Sequence, residues 1–300
     1  MLKIAWSEEY VLPLPPNHRF PMSKYEMLPW QLLHEGTIAG ANIFRPDPID
    51  EQWILATHEQ SYWEKLRSLS LSPAEVRRTG FPLSEALVNR EIIIAQGTLL
   101  ATHYAFEHGI AMNIAGGTHH AFTNRGEGFC LLNDQAIAAN YLLHTKRADR
   151  ILIIDLDVHQ GDGTAQIFRH EPRVFTFSMH GANNYPMKKE TSDLDVALPD
   201  KTGDAEYLVA LADSLDGITR RFNPDFLFFQ SGVDILETDK LGKLSVTKNG
   251  CKERDRIVLT YAKRNNIPLV VSMGGGYSSD FNDIIDAHAN TFRLAQDIFF

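Results

Sequence analysis

Cysteine is almost missing from this chain, with two in 300 residues. Cys130 and Cys251 are far apart and form no metal-type pair, so neither a disulfide framework nor a thiolate zinc site is indicated. A reducing, cytoplasmic setting is expected. Long apolar runs are also lacking, since nothing approaches the ~20 residues of a spanning helix. The opening stretch MLKIAWSEEYVLPLPP has no signal-type apolar core or small-residue cleavage site. No Pro/Gly/Ser linker, repeat or low-complexity tract divides the chain, so residues 1–300 read as one domain. Basic excess is absent as well. Lys and Arg number 29 against 38 Asp and Glu, a net charge of −9, which argues against a nucleic-acid binder. That charge is compatible with cationic substrates such as lysine-rich peptides or polyamines.

What is present is 44% hydrophobic residues, arranged as short apolar runs alternating with amphipathic stretches. Strands are expected at Leu2–Trp6, in the apolar run that opens the stretch Arg150–Thr164, and at Val174–His180, Leu194–Leu198, Asp225–Gln230 and Pro268–Met273. Helices are expected at Lys24–Glu35, Thr57–Leu69, from Ser72 onward, and at Ser84–His108, Asn133–His144, Asp204–Phe222, Val246–Asn265 and Ile284–Asp297. Ser72-Pro73-Ala74-Glu75 supplies an N-cap, a proline at N1 and an acid in the first turn. Buried strands alternating with helices imply a three-layer α/β domain with a mostly parallel sheet. Ligands of such sheets bind beyond the carboxyl ends of the strands.

The chemically loaded residues fall at such ends. In RILIIDLDVHQGDGT, the residues Asp155, Asp157 and His159 are spaced by two, so an extended chain directs them to one side. Two carboxylates and an imidazole, Asp157, His159 and Asp234, form a ligand set for a divalent cation that leaves coordination positions open. Such a metal activates water and polarises a carbonyl. His119 and His120, delivered by Ala115-Gly116-Gly117-Thr118, are suited to general base and acid roles, with Asp155 and Asp162 to fix their tautomers. Tyr277, after three glycines, is placed to assist an oxyanion. His18, in a proline-rich loop, reads as a rim residue or an ordinary loop histidine. His103 and His108 read as structural.

Gly-Gly-Thr-His-His-Ala, Gly-Phe-Cys-Leu-Leu-Asn-Asp, Asp-Leu-Asp-Val-His-Gln-Gly-Asp-Gly-Thr, Ser-Gly-Val-Asp and Gly-Gly-Gly-Tyr follow one another between about residues 115 and 277. In that order they resemble the zinc-dependent histone deacetylases of the arginase/deacetylase fold. The Asn-Asn-Tyr-Pro segment and short length are most similar to the small class IV and bacterial deacetylase-like branch. The resemblance implies zinc on Asp157, His159 and Asp234, and a His119–His120 pair backed by Asp155 and Asp162. It also implies carbonyl assistance by Tyr277 and an acyl-lysine tunnel walled by Gly128 and Phe129, with Cys130 at its foot. Potassium is implied beside the zinc, on Asp155, Ser178, the Met179 carbonyl and the backbone of Asp157 and His159. Phe168 and Val174 resemble contributors to an outer monovalent site.

Thr118 departs from the glycine many relatives carry. The loop His180–Thr191 lacks the phenylalanine pattern of larger classes, leaving Tyr185 as the opposite wall. The implied reaction removes acetyl or longer acyl groups from lysine. Acetylated polyamines or other small acylated amines are the alternative substrates. A dimanganese ureohydrolase is disfavoured because Asp234 is followed by Ile235, Leu236 and Glu237, without a second aspartate two residues on. An acyl-lysine-binding pseudoenzyme is disfavoured because every motif residue is retained. Oligomeric state and native metal are not encoded in any motif.

Overall fold

The computed structural model describes residues 1–300. Its frame is an eight-stranded sheet of β1 (Lys3–Ala5), β2 (Ile43–Phe44), β3 (Ile110–Asn113), β4 (Ile151–Asp155), β5 (Val174–Gly181), β6 (Leu194–Leu198), β7 (Phe226–Gln230) and β8 (Leu269–Ser272). The strand order is β2-β1-β3-β8-β7-β4-β5-β6, and every pairing is parallel. β3, β4, β7 and β8 are buried along their whole length, as expected where both faces of a parallel sheet are covered by helices.

The covering helices are α1 (Lys24–His34), α2 (Glu51–Leu55), α3 (Gln60–Arg67), α4 (Pro73–Thr79), α5 (Glu85–His108), α6 (Asp134–His144), α7 (Asp162–Phe168), α8 (Asp204–Arg221), α9 (Lys248–Arg264) and α10 (Phe281–Phe299). α4 starts at the expected N-cap Ser72, which forms a capping box with Glu75. Ser84 caps α5 through the Leu87 N–H. No helix is long and apolar enough to cross a membrane.

Four elements escaped the sequence reading. β2 and α2 are too short to show a period. β3 follows the C-terminus of α5 after one glycine, so its apolar run merges with that of the helix. α7 begins inside Gly-Asp-Gly, which reads as a turn. One expectation is also corrected. The strand ends at Asp155, and Asp157 and His159 lie in the bend beyond it, so backbone curvature rather than strand alternation brings them together.

Eighty buried apolar side chains form one contiguous core. Its sheet layer stops at a definite level. The last register positions of β3, β8, β7 and β4, with Ser178 beside them on β5, are polar and buried: Asn113 pairs with Ser272, Ser272 with Gln230, Gln230 with Asp155, and Asp155 with Ser178. Below this row the sheet is hydrophobic; above it lies the site. Phe228, fully buried in β7, anchors the apolar part. Phe228→Ala is expected to destabilise the protein by about 3–5 kcal/mol, read as a lower denaturation midpoint with an unchanged slope.

Candidate active site

The polypeptide leaves β3, β4, β7 and β8, four neighbours at the middle of the sheet, along the same edge. The four loops carry His119 and His120, Asp157 and His159, Asp234, and Tyr277, respectively. Parallel strands place all their carboxyl ends together, so residues more than a hundred positions apart meet there.

Asp157, His159 and Asp234 offer donor atoms within 4.8 Å of one another, all buried. His159 Nδ1 faces both carboxylates, 3.0 Å from Asp157 Oδ1 and 3.1 Å from Asp234 Oδ2. Backbone N–H groups fix the remaining oxygens: Val158 donates to Asp234 Oδ1 at 2.9 Å and Gly275 to Asp157 Oδ2 at 2.8 Å. A side chain at position 275 would strike the Asp234 carboxylate and come within 2.8 Å of Asp157 Oδ2, which accounts for that glycine. Burial and the neighbouring Asp157 charge raise Asp234 to about 7. Burial opposes protonation of His159, yet its bonds to Asp157 and Asp234 prevail and lift it to about 10. The pocket demands positive charge, from protons or from a cation that displaces them.

The two adjacent histidines stand beside this cluster with ring centroids 4.1 Å apart. His119 Nδ1 lies 2.7 Å from Asp155 Oδ2, and His120 Nδ1 lies 2.6 Å from Asp162 Oδ1. Each carboxylate thus fixes Nδ1 as the protonated nitrogen and leaves Nε2 for chemistry. Their environments separate them. Burial lowers His119, but Asp155 and Asp157 outweigh it and hold the ring up at about 9. Burial and the charge of His119 push His120 down to about 4. The two rings are thus shifted in opposite directions, His120 toward the free base and His119 toward the imidazolium.

A cavity of about 450 Å³ opens from the cluster to the surface. Gly128, Phe129, Cys130, Tyr185 and Tyr277 line it, as does Phe20, which the sequence reading passed over. The Phe20 and Phe129 rings lie 6.2 and 6.1 Å from that of Tyr277, and Tyr185 meets His120 edge-on at 5.0 Å. Phe129 sits at φ +68, a strained backbone region for an aromatic residue. Its N–H bond to Thr79 O at 2.7 Å and the Gly128 N–H bond to Arg78 O at 3.1 Å hold it there.

His18 is not on the wall. It stacks on Phe81 at 5.6 Å, meets Phe129 at 6.0 Å and bonds Gly80 O at 2.9 Å, buttressing Phe129 from behind. The aromatic two positions on, Phe20, takes the wall position. His103 is occupied by Tyr141 Oη, 2.8 Å away.

Comparison with known proteins agrees with this arrangement. Residues 18–292 match the histone deacetylase domain. The chain belongs to the histone deacetylase family. An uncharacterized protein of Picosynechococcus sp. is 42% identical to it over 99% of both chains. Histone deacetylase 2 of Arabidopsis thaliana is 32% identical, across 92% of this chain and 74% of that one. Among solved structures, the crystal structure of an HDAC homolog from Aquifex aeolicus superposes with a TM-score of 0.84 at 25% identity, covering 98% of this chain and 84% of the other. An HDAC homolog complexed with SAHA gives 0.82 at 26% identity, covering 98% and 82%. The family makes the chain a deacetylase-type hydrolase on the three-layer arginase/deacetylase fold.

Several residues that support this deacetylase site lie outside the motifs, apart from Asp134, which closes Gly-Phe-Cys-Leu-Leu-Asn-Asp. Lys24 is wholly buried, donates to Gly274 O at 3.0 Å and lies over the Phe20, Tyr25 and Tyr277 rings at 5.3, 5.3 and 5.9 Å. Burial lowers its ammonium to about 8, with Asp234 and Asp157 opposing. Asp239 accepts the Tyr277 N–H at 2.6 Å. Asp134 accepts the Thr118 N–H at 2.9 Å, and Gln230 donates to Gly117 O at 2.7 Å; together they pin the histidine loop.

A Cβ at Gly128 would lie 2.8 Å from His120 Cδ2, at a φ of +53. Gly128→Ala is therefore expected to displace His120 and to lower kcat by about tenfold or more, since small misplacements of a catalytic group are costly. A steady-state comparison with wild type, alongside circular dichroism for fold, checks this.

Proposed function

We propose that this chain is a zinc-dependent deacylase, one catalytic unit over residues 1–300, that hydrolyses the side-chain amide of acyl-lysine in proteins or peptides. The observation that carries the reading is the conjunction at one cavity floor of an Asp-His-Asp cluster and two adjacent imidazoles, each bonded through Nδ1 to its own carboxylate. Asp157, His159 and Asp234 would hold the zinc: two hard oxygens and one imidazole suit that ion and leave room for substrate and water. When bound, it supplies a Lewis acid that polarises the amide carbonyl and acidifies water.

The protein's own groups do the rest. Phe20, Phe129 and Tyr185 hold the lysine stem and exclude bulk water. His120 takes a proton from the attacking water on Nε2, oriented by Asp162. The water oxygen bonds to the acyl carbon, the C–N bond breaks, and the departing lysine nitrogen takes up the proton held by His120. His119, oriented by Asp155, stabilises the negative charge that develops between these events. Tyr277 points into the same cavity, and burial, with Asp234 and Asp157 nearby, keeps its phenol protonated, so it donates a hydrogen bond to the carbonyl oxygen as that charge grows.

The potassium reading rests on the resemblance. Asp155 and Ser178 are register neighbours on β4 and β5, with Met179 next, as that reading requires. Here Asp155 is bonded to His119 and the Asp157 N–H, and the Ser178 hydroxyl to His180 Nδ1 at 3.0 Å. Phe168 closes α7 and Val174 opens β5, where the outer monovalent ion would use their backbone. Both cysteines are buried and free, in keeping with a cytoplasmic setting.

Lysine peptides carrying acetyl, butyryl, octanoyl or myristoyl groups test the function. Acyl release by the wild type is expected to fall at least about 100-fold in His120→Ala and Tyr277→Phe, to vanish on chelation and to return with zinc. A folded, zinc-loaded protein inert on every peptide would sink the reading and bring forward small acylated amines. The sign of the His120 assignment is separately checkable. Asp162 raises the His120 pKa against burial, so Asp162→Asn is expected to lower kcat and move the acid limb of the pH profile to lower pH. A limb that stays put assigns the base elsewhere.

A further inference from the structure

The mouth of the cavity carries a charge opposite in sign to that of the chain. Of the residues lining it, Arg19, Arg78 and Lys243 are exposed, no glutamate takes part, and the single aspartate is Asp157 of the buried cluster. Arg19 makes no ion pair, and Lys243 spends one donor on Asn183 O at 2.8 Å without meeting a carboxylate. Arg78 is shared with Glu127, whose Oε1 lies 3.7 Å away and also takes Arg125 Nε at 2.7 Å, while its Oε2 accepts the Tyr185 hydroxyl at 2.7 Å. The one rim carboxylate is thus outnumbered. Asp200, which accepts from Asn183 Nδ2 at 3.2 Å, makes no ion pair with Lys243. The deeper Arg90 differs: it is buried against Glu91, which neutralises it. Among the arginines and lysines that line the cavity, those without a buried carboxylate partner are at the opening.

Resting on the deacylase reading, we propose that this mouth selects acyl-lysine within acidic sequence, with carboxylates of flanking residues meeting Arg19, Arg78 and Lys243. These cations come from three elements, namely the loop before α1, α4, and the loop after β7. Three separate stretches of chain thus contribute one cation each to the lining, which fits an extended peptide with several flanking carboxylates. The same field repels lysine-rich tails and polyamines, the classes that the net charge of −9 made compatible. The tunnel takes the uncharged acyl-lysine stem in either case, so discrimination lies in the residues beside it.

The test uses the zinc-loaded full chain and three peptides identical except for Glu, Ala or Lys on either side of one acyl-lysine. At low salt, kcat/KM for the Glu peptide is expected to exceed that for the Lys peptide by about tenfold, the order of two or three exposed ion pairs. The ratio is expected to shrink toward one at high salt and to invert in the Arg19→Glu, Lys243→Glu variant. A ratio near one, or favouring Lys, at low salt overturns the proposal. Fluorescence anisotropy with labelled peptides and the His120→Ala protein gives the same ratio from Kd without turnover. If no peptide is hydrolysed, the deacylase reading fails, while binding still decides the charge selection: Glu over Lys supports it and equality refutes it.

Discussion

Two carboxylates that water cannot reach set the terms for this molecule. Asp157 and Asp234 are essentially unexposed, and like charges at that depth repel strongly unless something positive lies between them. Backbone N–H groups of Val158 and Gly275 quench one oxygen of each, and His159 Nδ1 fills the space facing the others. From that arrangement follow the glycine at 275, the tight bend from Leu156 to Gln160 and the proton-hungry state of His159. A divalent cation resolves the conflict with fewer protons. The cluster is therefore costly to the fold on its own and useful once loaded.

The sheet prepares for this cost one residue earlier. Asn113, Ser272, Gln230, Asp155 and Ser178 form a buried polar row across the sheet, and all but Ser178, whose hydroxyl meets His180 in its own strand, are tied to a loop or helix. Gln230 reaches the Gly117 carbonyl, Ser272 reaches Asp134 at 3.3 Å, and Asp155 reaches His119. Apolar strand residues cannot orient a histidine loop; this row can, because hydrogen bonds have direction and hydrophobic contacts do not. The rigidity of a parallel sheet is passed into the site through these bonds.

The parts of the site that could be read in the sequence are those where one residue type does one chemical job. Asp157, His159, Asp234, His119, His120 and Tyr277 announce themselves by spacing and by their place after strands, and the parallel order of the main strands follows from the alternating pattern. Tertiary context hid the rest. Lys24 looks like an exposed helix residue, since nothing local shows that Gly274, two hundred and fifty positions away, accepts from it. His18 and Phe20 lie in the same proline-rich loop, yet packing assigns the wall to the phenylalanine. Asp157 and His159 reach one point by a bend that no propensity encodes, and α7 hides in a Gly-Asp-Gly that elsewhere would be a turn.

Charge gives the clearest case of a global property misleading about a local one. At ordinary ionic strength, interactions between exposed charges fade over about 10 Å, so an approaching substrate senses the mouth and little of the acidic surface elsewhere. Arg19 and Lys243 meet no carboxylate there, and Glu127 is engaged by Arg125, Arg78 and the Tyr185 hydroxyl. That same engagement braces Tyr185 against His120, so one carboxylate both stiffens the tunnel wall and leaves its rim positive. A glutamate at that position therefore couples tunnel geometry to substrate charge, and neither property can be altered through it without disturbing the other.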